Sequence, residues 1–277
     1  MSGEVSRGTV MSRRARLGKN LLNGYAALAL LYIFLPIIVI VVFSFNQPNG
    51  KYNIKWQKFT LSNWAHPFAE KALTDALLVS LRIAVISTVA ATVLGTLMAI
   101  ALSKYKFRGG GVIDLFLVLP LTSPEVVLGS SLATLFINHK VDFGYPTVVI
   151  AHVMFQISFV ALTVRARIRG YDWTLEQAAM DLGATPLRAF SKITFPLILP
   201  GVLAAAMLSF ALSIDDFIIT YFNAGSLLTF PLQIFGEQQR KIPPQIDVLA
   251  TMILLVSIAI VASGALIGNR RRRQFES

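Results

Sequence analysis

Three carboxylates stand inside otherwise apolar stretches of this 277-residue chain: Glu125 in Leu119-Pro-Leu-Thr-Ser-Pro-Glu125, and Asp215 and Asp216 in Ser213-Ile-Asp-Asp-Phe217. An acidic side chain deep in a hydrocarbon layer costs about 2.5–3.5 kcal/mol even on the lenient insertion scale, so such groups line water, meet a cation, or do both. Arg82 is the one Lys or Arg expected near their depth, which leaves a negative field suited to a cationic solute. Tyr221, Phe217 and Phe222 could add aromatic faces, each worth about 0.5–2 kcal/mol to an ammonium, although packing and lipid contact compete for those rings. The competing use of the aspartates is a helix-end pair at the interface or an ion pair with Arg82. Because neighbours on a helix point about 100° apart, one of Asp215 and Asp216 is expected to face a pathway.

Elements must carry these acids across a membrane. Apolar residues make up 55% of the chain and charged ones 14%, and six stretches approach or exceed the roughly 20 residues that span about 30 Å of hydrocarbon. They run from Leu21 to Phe45, Leu77 to Ser103, Val112 to Ile137, Thr147 to Val164, Leu197 to Phe222 and Ile246 to Ile267. The fold class expected is therefore all-α and integral to the membrane, with six transmembrane helices. The second stretch overshoots the bilayer unless Leu77 to Arg82 lies at the interface or the helix tilts. Pro36, Pro120 and Pro124 interrupt helical stretches, which neighbouring helices can tolerate. If the third helix continues through its prolines, Glu125 lies about 20 Å along it, and Asp215 and Asp216 lie about 27 Å along the fifth.

Basic residues give the orientation. Of the 25 Lys and Arg, 17 fall in the segments on the side of the N-terminus: Arg7, Arg13, Arg14, Arg16, Lys19, Lys104, Lys106, Arg108, Arg165, Arg167, Arg169, Arg188, Lys192 and Arg270 to Arg273. Seven fall on the other side and Arg82 sits at a boundary, so both termini are expected in the cytoplasm. Asp114 then lies near the cytoplasmic end of its span, at the interface. The net charge of +11 is accounted for by this topology and by anionic lipid, and no nucleic-acid reading module accompanies it.

One polar passage between spans has its own design. Glu176-Gln-Ala-Ala-Met-Asp-Leu-Gly183 reads as a short helix with Thr174 as N-cap, Gln177 closing a capping box and Gly183 as the C-terminal glycine. A second short helix is expected from Thr185 to Ile193, ahead of Phe195-Pro196. Two polar helices joined by a glycine turn form a docking surface.

This passage resembles the cytoplasmic coupling loop of bacterial ABC-importer permeases: Glu-Ala-Ala, three residues, Gly, nine residues, Ile, one residue, Leu-Pro. Gln177, Ala178, Ala179, Gly183, Ile193, Phe195 and Pro196 fill that pattern, with Gln177 for the usual Glu, Glu176 just before it, and Phe195 for Leu. The resemblance implies a binding-protein-dependent permease whose ATPase contact includes Glu176 and these seven residues. Ser213-Ile-Asp-Asp216, Pro124-Glu125 and Asp181 to Ala184 are similar to the second permease of spermidine/putrescine importers. That likeness implies a cation pathway through Glu125, Asp215, Asp216 and Tyr221. It also implies a related permease, two ATPase subunits and an extracytoplasmic solute-binding protein as partners. ATP and Mg would sit on the ATPase, with no cofactor on this chain and no catalysis by it. Another solute (thiamine, iron, an anion or a sugar) remains open within the class, and an ion-coupled secondary carrier outside it, though a carrier needs no ATPase dock.

The expected organisation is a basic cytoplasmic segment over residues 1–20, a permease domain over 21–268 containing the coupling loop 165–196, and a basic cytoplasmic end over 269–277. No Walker-type phosphate loop occurs, cysteine is absent, and His66, His139 and His152 lack metal-ligand spacing, so each reads as structural. The apolar stretch from Leu21 is too long for a secretory signal core and is expected to remain as the first span. Two outer loops offer landing places for a binding protein. The first, Asn46 to Ala76, holds Trp56, Phe59, Trp64 and a short interfacial helix around Leu61 to Phe68; the second runs from Asn223 to Gln245. A reporter fused after Arg273 is expected to signal cytoplasm and one inserted near Lys58 the opposite side; the reverse pair of signals, read by compartment-specific enzyme activity, would overturn the charge-based topology.

Overall fold

The computed structural model describes residues 13–105 and 108–275, and side-chain surroundings for 20–105 and 108–259. Expectations for residues 1–12, Lys106 and 276–277 lie outside the described residues. All regular elements among them are helices, and the β pairing is limited to isolated bridges.

The chain divides into two compact units, residues 1–69 with 240–277, and residues 70–239. In the first, α1 (Arg13–Phe43) packs with α12 (Pro244–Phe275). The loop after α1 is folded on itself. Phe45 stacks between Phe59 and Trp64, with centroids 5.7 and 5.4 Å away, and the Trp64 indole donates to Ser44 Oγ at 3.1 Å. Buried Asn46 accepts from the backbone of Gln57 and Lys58 and donates to Asn53 Oδ1 at 2.7 Å; Asn53 in turn donates to Asp247 at 2.7 Å. The interfacial helix expected over Leu61 to Phe68 is a single turn, α2 (Ser62–Ala65).

The second unit is built on α3 (Lys71–Lys104), α6 (Tyr145–Ile168) and α9 (Phe195–Asp215), each packed against the other two. Their shared core is Ala91, Ala99, Val160, Val164, Ile168, Ile198, Val202 and Ala205. Small residues carry this contact, because apolar lipid gives no hydrophobic drive for helices to associate and close approach of backbones must supply the attraction. At Gly95 a Cβ would stand 2.7 Å from Val160 Cγ1 and 3.0 Å from the Ile157 carbonyl oxygen. The 34 residues of α3 make it about 51 Å long, well beyond a bilayer's hydrocarbon core. The helix begins at Lys71, six residues before the expected start at Leu77, so the extra length lies at its N-terminal end.

The third expected span, Val112 to Ile137, is not one helix. It forms α4 (Gly110–Thr122) and α5 (Glu125–Asn138), bent by 111° at the break. Pro124 disfavours helical backbone at the residue before it, and Ser123 is extended at φ −79°, ψ 139°. Pro120 inside α4 is tolerated. The 20 Å depth for Glu125, which assumed a straight helix, therefore does not apply.

The fifth span is displaced and also broken. Between α7 (Thr174–Asp181) and α9 lie α8 (Pro186–Ala189) and a π-turn (Phe190–Thr194), which run without interruption into α9, so the second short helix expected from Thr185 to Ile193 is the leading end of the fifth span's helix. The wide turn precedes Pro196, whose ring would clash with the carbonyl four residues earlier in a regular α-helix. After Asp215 the chain extends at Asp216 and re-enters a helix as α10 (Ile218–Asn223); α11 (Phe230–Gln238) lies within the segment from Asn223 to Gln245. Among the described residues, four helices are long and apolar enough to cross a membrane, or five counting the bent pair, and α12 has a shorter apolar part, Pro244–Ala259. This is a multi-pass membrane chain.

Gly95→Val is expected to destabilise the second unit by about 1–3 kcal/mol, since Val160 and a backbone carbonyl block the added side chain. Thermal unfolding in detergent would register this as a lower midpoint.

Candidate functional site

The expected docking segment is capped differently from the sequence reading. Asp172, not Thr174, closes the N-terminus of α7: its carboxylate accepts the Thr174 N–H at 3.0 Å. Thr174 is already in the first turn, so the capping box with Gln177 does not form. The hydrogen bonds from Thr174 hold the exposed Asp172 carboxyl below its ordinary range. The C-terminal end is as expected. Gly183 has φ +89°, its N–H donates to Met180 O at 2.9 Å, and Ala184 N–H donates to Ala179 O at 3.0 Å, the pair of bonds that closes a helix through a left-handed glycine. Thr185 then caps α8, its hydroxyl accepting from Arg188 N–H at 3.4 Å, with Pro186 at the first helical position.

The expected contact residues divide by exposure. Gln177, Ala178, Gly183, Phe195 and Pro196 are exposed, Ala179 and Ile193 half-buried, and Glu176 buried. Glu176 does not belong to the outward face. It accepts from Lys104 Nζ at 2.5 Å and from Thr194 Oγ1 at 3.0 Å. Two residues that the motif does not weigh stand out furthest instead, Leu182 at 90% and Leu187 at 76% exposed. A leucine directly before a turn glycine, and another just after a proline cap, were legible as outward positions from the helix pattern. Arg165 pairs with Asp114, fixing α4 to α6 near the end of the latter.

The aspartate pair is split. Helix α9 ends at Asp215, and Asp216 is extended at φ −61°, ψ 121°, so the two do not share one helix as expected. Asp215 is exposed; Asp216 is 9% exposed. The Asp216 carboxylate accepts from Thr220 N–H at 2.8 Å and from the Thr220 hydroxyl at 2.6 Å, which caps α10. His152 Nε2 stands 3.3 Å from the same oxygen and 2.9 Å from Thr220 Oγ1, while its Nδ1 is 2.7 Å from Ser213 Oγ. Arg82 is exposed and pairs with neither aspartate.

The contacts continue as one connected chain. Ser209 donates to Gln156 Oε1 at 2.8 Å, Gln156 Nε2 donates to Ser87 Oγ at 3.3 Å, and Ser87 and Ser213 are 3.1 Å apart. Through Ser87, Ser213 and the two ring nitrogens of His152 the contacts reach Thr220 and Asp216 without a gap. Hydrogen bonds linked in series polarise one another in a low dielectric. His152 has the structural part expected of it. Its link to Asp216 had no sequence signal, because the two lie 64 positions apart.

Glu125 begins α5 and is exposed. One turn further, Gly129 packs on α10: a Cβ there would meet Phe222 at 3.0 Å and Ile219 Cα at 3.2 Å, and Asn223 donates to the Gly129 carbonyl at 3.2 Å. The second halves of both broken spans thus pack on each other. Tyr221 is 60% exposed and stacks on Phe217 with centroids 5.8 Å apart. No group of three or more His, Cys, Asp or Glu suited to a metal occurs among the described residues.

Residues 91–274 match the family of binding-protein-dependent transport system inner membrane components. The chain is 34% identical over 258 residues to the spermidine/putrescine transport system permease protein PotC of Escherichia coli K12, covering 93% of this chain and 97% of that one. With the putrescine transport system permease protein PotI of the same organism it shares 35% over 231 residues, 80% of this chain and 82% of the relative. Among solved structures, a chain of a bacterial ABC transporter that imports the acidic polysaccharide alginate aligns at TM-score 0.68 with 15% identity, over 92% of this chain and 98% of that one. An amino acid ABC transporter aligns at 0.58, also at 15%, over 77% and 100%. At those identities the structural likeness concerns the fold.

The two aspartates are expected to differ in stability effect. Asp216→Ala strips the cap from α10 and leaves buried donors unpaired, at about 1–3 kcal/mol or more. Asp215→Ala, at an exposed position, should stay within about 0.5 kcal/mol. Detergent-solubilised thermal midpoints of both variants check this.

Proposed function

The chain belongs to the family of binding-protein-dependent transport system inner membrane components, and from that premise we propose that it is a permease subunit of an ATP-driven importer of polyamines. The observation that carries the solute is identity of about one third, along nearly the whole chain, with permeases of spermidine and putrescine transport. Exposed carboxylates in a broken-helix region support a cationic cargo.

In this reading six spans cross the membrane, α4 with α5 and α9 with α10 each counting once, and both termini face the cytoplasm. The chain does no chemistry of its own. It pairs with a related permease, and two ATPase subunits hold ATP and Mg. Gln177, Ala178, Ala179, Gly183, Ile193, Phe195 and Pro196 form the ATPase-docking region, with Leu182 and Leu187 as its apolar knobs. An extracytoplasmic binding protein delivers the solute on the opposite side.

Asp215 and Glu125 contribute to the cation route and Tyr221 offers an aromatic face, while Asp216 acts from behind as the fixed end of the hydrogen-bond chain. A break in a helix is a suitable place for such acids, because it is where irregular backbone lines a cavity rather than lipid. Replacing a carboxylate by its amide removes charge and keeps shape. Asp215→Asn and Glu125→Gln are each expected to lower spermidine uptake about tenfold or more, the equivalent of one charge-assisted hydrogen bond. Radiolabelled uptake in cells without other polyamine importers, corrected for membrane abundance, is the measurement. Unchanged uptake in both and in the double variant would discard the acidic route; transport of a sugar or anion by the unmodified complex would discard the polyamine assignment.

A further inference from the structure

Glu176 is unusual among the polar residues of α7, being 3% exposed while Gln177 and Asp181 face solvent. Both of its carboxylate oxygens are used inside the chain, one by Lys104 at 2.5 Å and the other by Thr194 at 3.0 Å. Tyr171 shares the Thr194 hydroxyl at 3.0 Å, and the Lys104 ammonium lies 5.4 Å from the Trp173 ring centroid, so the Glu176 end of the pair is enclosed while the Lys104 side chain keeps part of its surface in solvent. A carboxylate bound in this way has no free oxygen to offer another subunit. It links α7 to two separate elements: the last residue of α3 and the π-turn that leads into α9.

The helix α3 is unbroken from Lys104 back to Ser87, a distance of about 25 Å. Ser87 is the member of the hydrogen-bonded chain that joins Gln156 to Ser213, three contacts from Asp216 by way of Ser213 and His152. One rigid helix therefore has the docking segment clamped to its end and the support of the acidic region attached at its middle. Displacement of α7 cannot occur without either moving Lys104 or breaking an ion pair whose carboxylate end is buried, which would leave Glu176 as an uncompensated charge.

We propose that the Lys104–Glu176 pair, braced by Thr194, is the joint that passes movement of the docking segment into α3 and so to the region around Asp216. Glu176 and Lys104 are then positioning residues of the transport cycle and not contacts with the ATPase. This rests on the importer reading above.

The experiment is a double-mutant cycle on the assembled complex in lipid vesicles, using Glu176→Gln, Lys104→Met and both together, with Lys104→Arg as the conservative variant. The quantity read is the ratio of ATP hydrolysis with and without spermidine-loaded binding protein, alongside co-purification of the ATPase subunit. In each single variant the ATPase subunit should remain bound while the stimulation ratio falls about tenfold, within the usual range of coupling between sites. The double variant should fall no further than the worse single one, and Lys104→Arg should retain most of the stimulation. Normal stimulation in the single variants overturns the joint, as do penalties that multiply in the double variant. Loss of the ATPase subunit from Glu176→Gln complexes also overturns it, since Glu176 would then be a direct contact. Thr194→Val keeps the ion pair and serves if a charge variant is degraded: stimulation should fall by a few-fold, and an unchanged ratio again counts against the joint. An unmodified complex whose hydrolysis ignores the binding protein would refute the importer reading instead.

Discussion

A helix broken inside a membrane exposes backbone N–H groups that no water is present to satisfy, and the chain must meet that demand wherever it bends. At the fifth span Asp216 does so, accepting the Thr220 N–H and hydroxyl on one oxygen. That assignment fixes much else. A carboxylate held at 9% exposure needs further donors, and His152 approaches it from α6, itself held by Ser213, which contacts Ser87 of α3. One capping requirement thereby organises the polar interior shared by four helices. It also separates two adjacent acids, since the extended backbone at Asp216 turns that side chain inward and leaves Asp215 outside.

The apolar packing of the second unit obeys a related constraint. With lipid as apolar as the side chains, α3, α6 and α9 gain attraction through close approach, and Gly95 against Val160 and Gly201 against the Arg167 stem are the points where no Cβ would fit. Such contacts hold the three helices in one packed group. The docking segment is bound to the same body by charge where it meets α3 and by covalent continuity where α8 and the π-turn run into α9. A family whose work depends on an energy source outside the membrane requires that kind of stiffness between the soluble face and the interior.

For the proposed cargo the consequence is a division of labour among acids that look equivalent in the sequence. Asp215 and Glu125 are exposed and begin or end helices at the two breaks, while Asp216 and Glu176 are buried and hydrogen-bonded within the chain. A buried carboxylate supplied with this many donors contributes order to its surroundings; an exposed one retains its capacity for a passing cation. The packing of α5 on α10 through Gly129 holds the two broken regions together.

Much of this was legible in the residues alone. Apolar length set the helical membrane class, because hydrocarbon admits few other backbones, and Gly183 marked its turn because a left-handed φ favours glycine there. The Gln177 to Pro196 spacing carried the family, since a docking surface is local in sequence. Pro124 warned of the third-span break but could not give its 111° angle, which depends on what α5 packs against. The cap by Asp172 in place of Thr174 turned on one residue of backbone register, which several acceptors in a row leave undecided. Only the tertiary structure could pair His152 with Asp216 or Lys104 with Glu176. Those partners lie 64 and 72 positions apart, and an ion pair between distant residues leaves no periodicity to read. For the same reason the sequence could name the acids but not say which face a pathway, because exposure is a property of neighbouring helices and not of the residue itself.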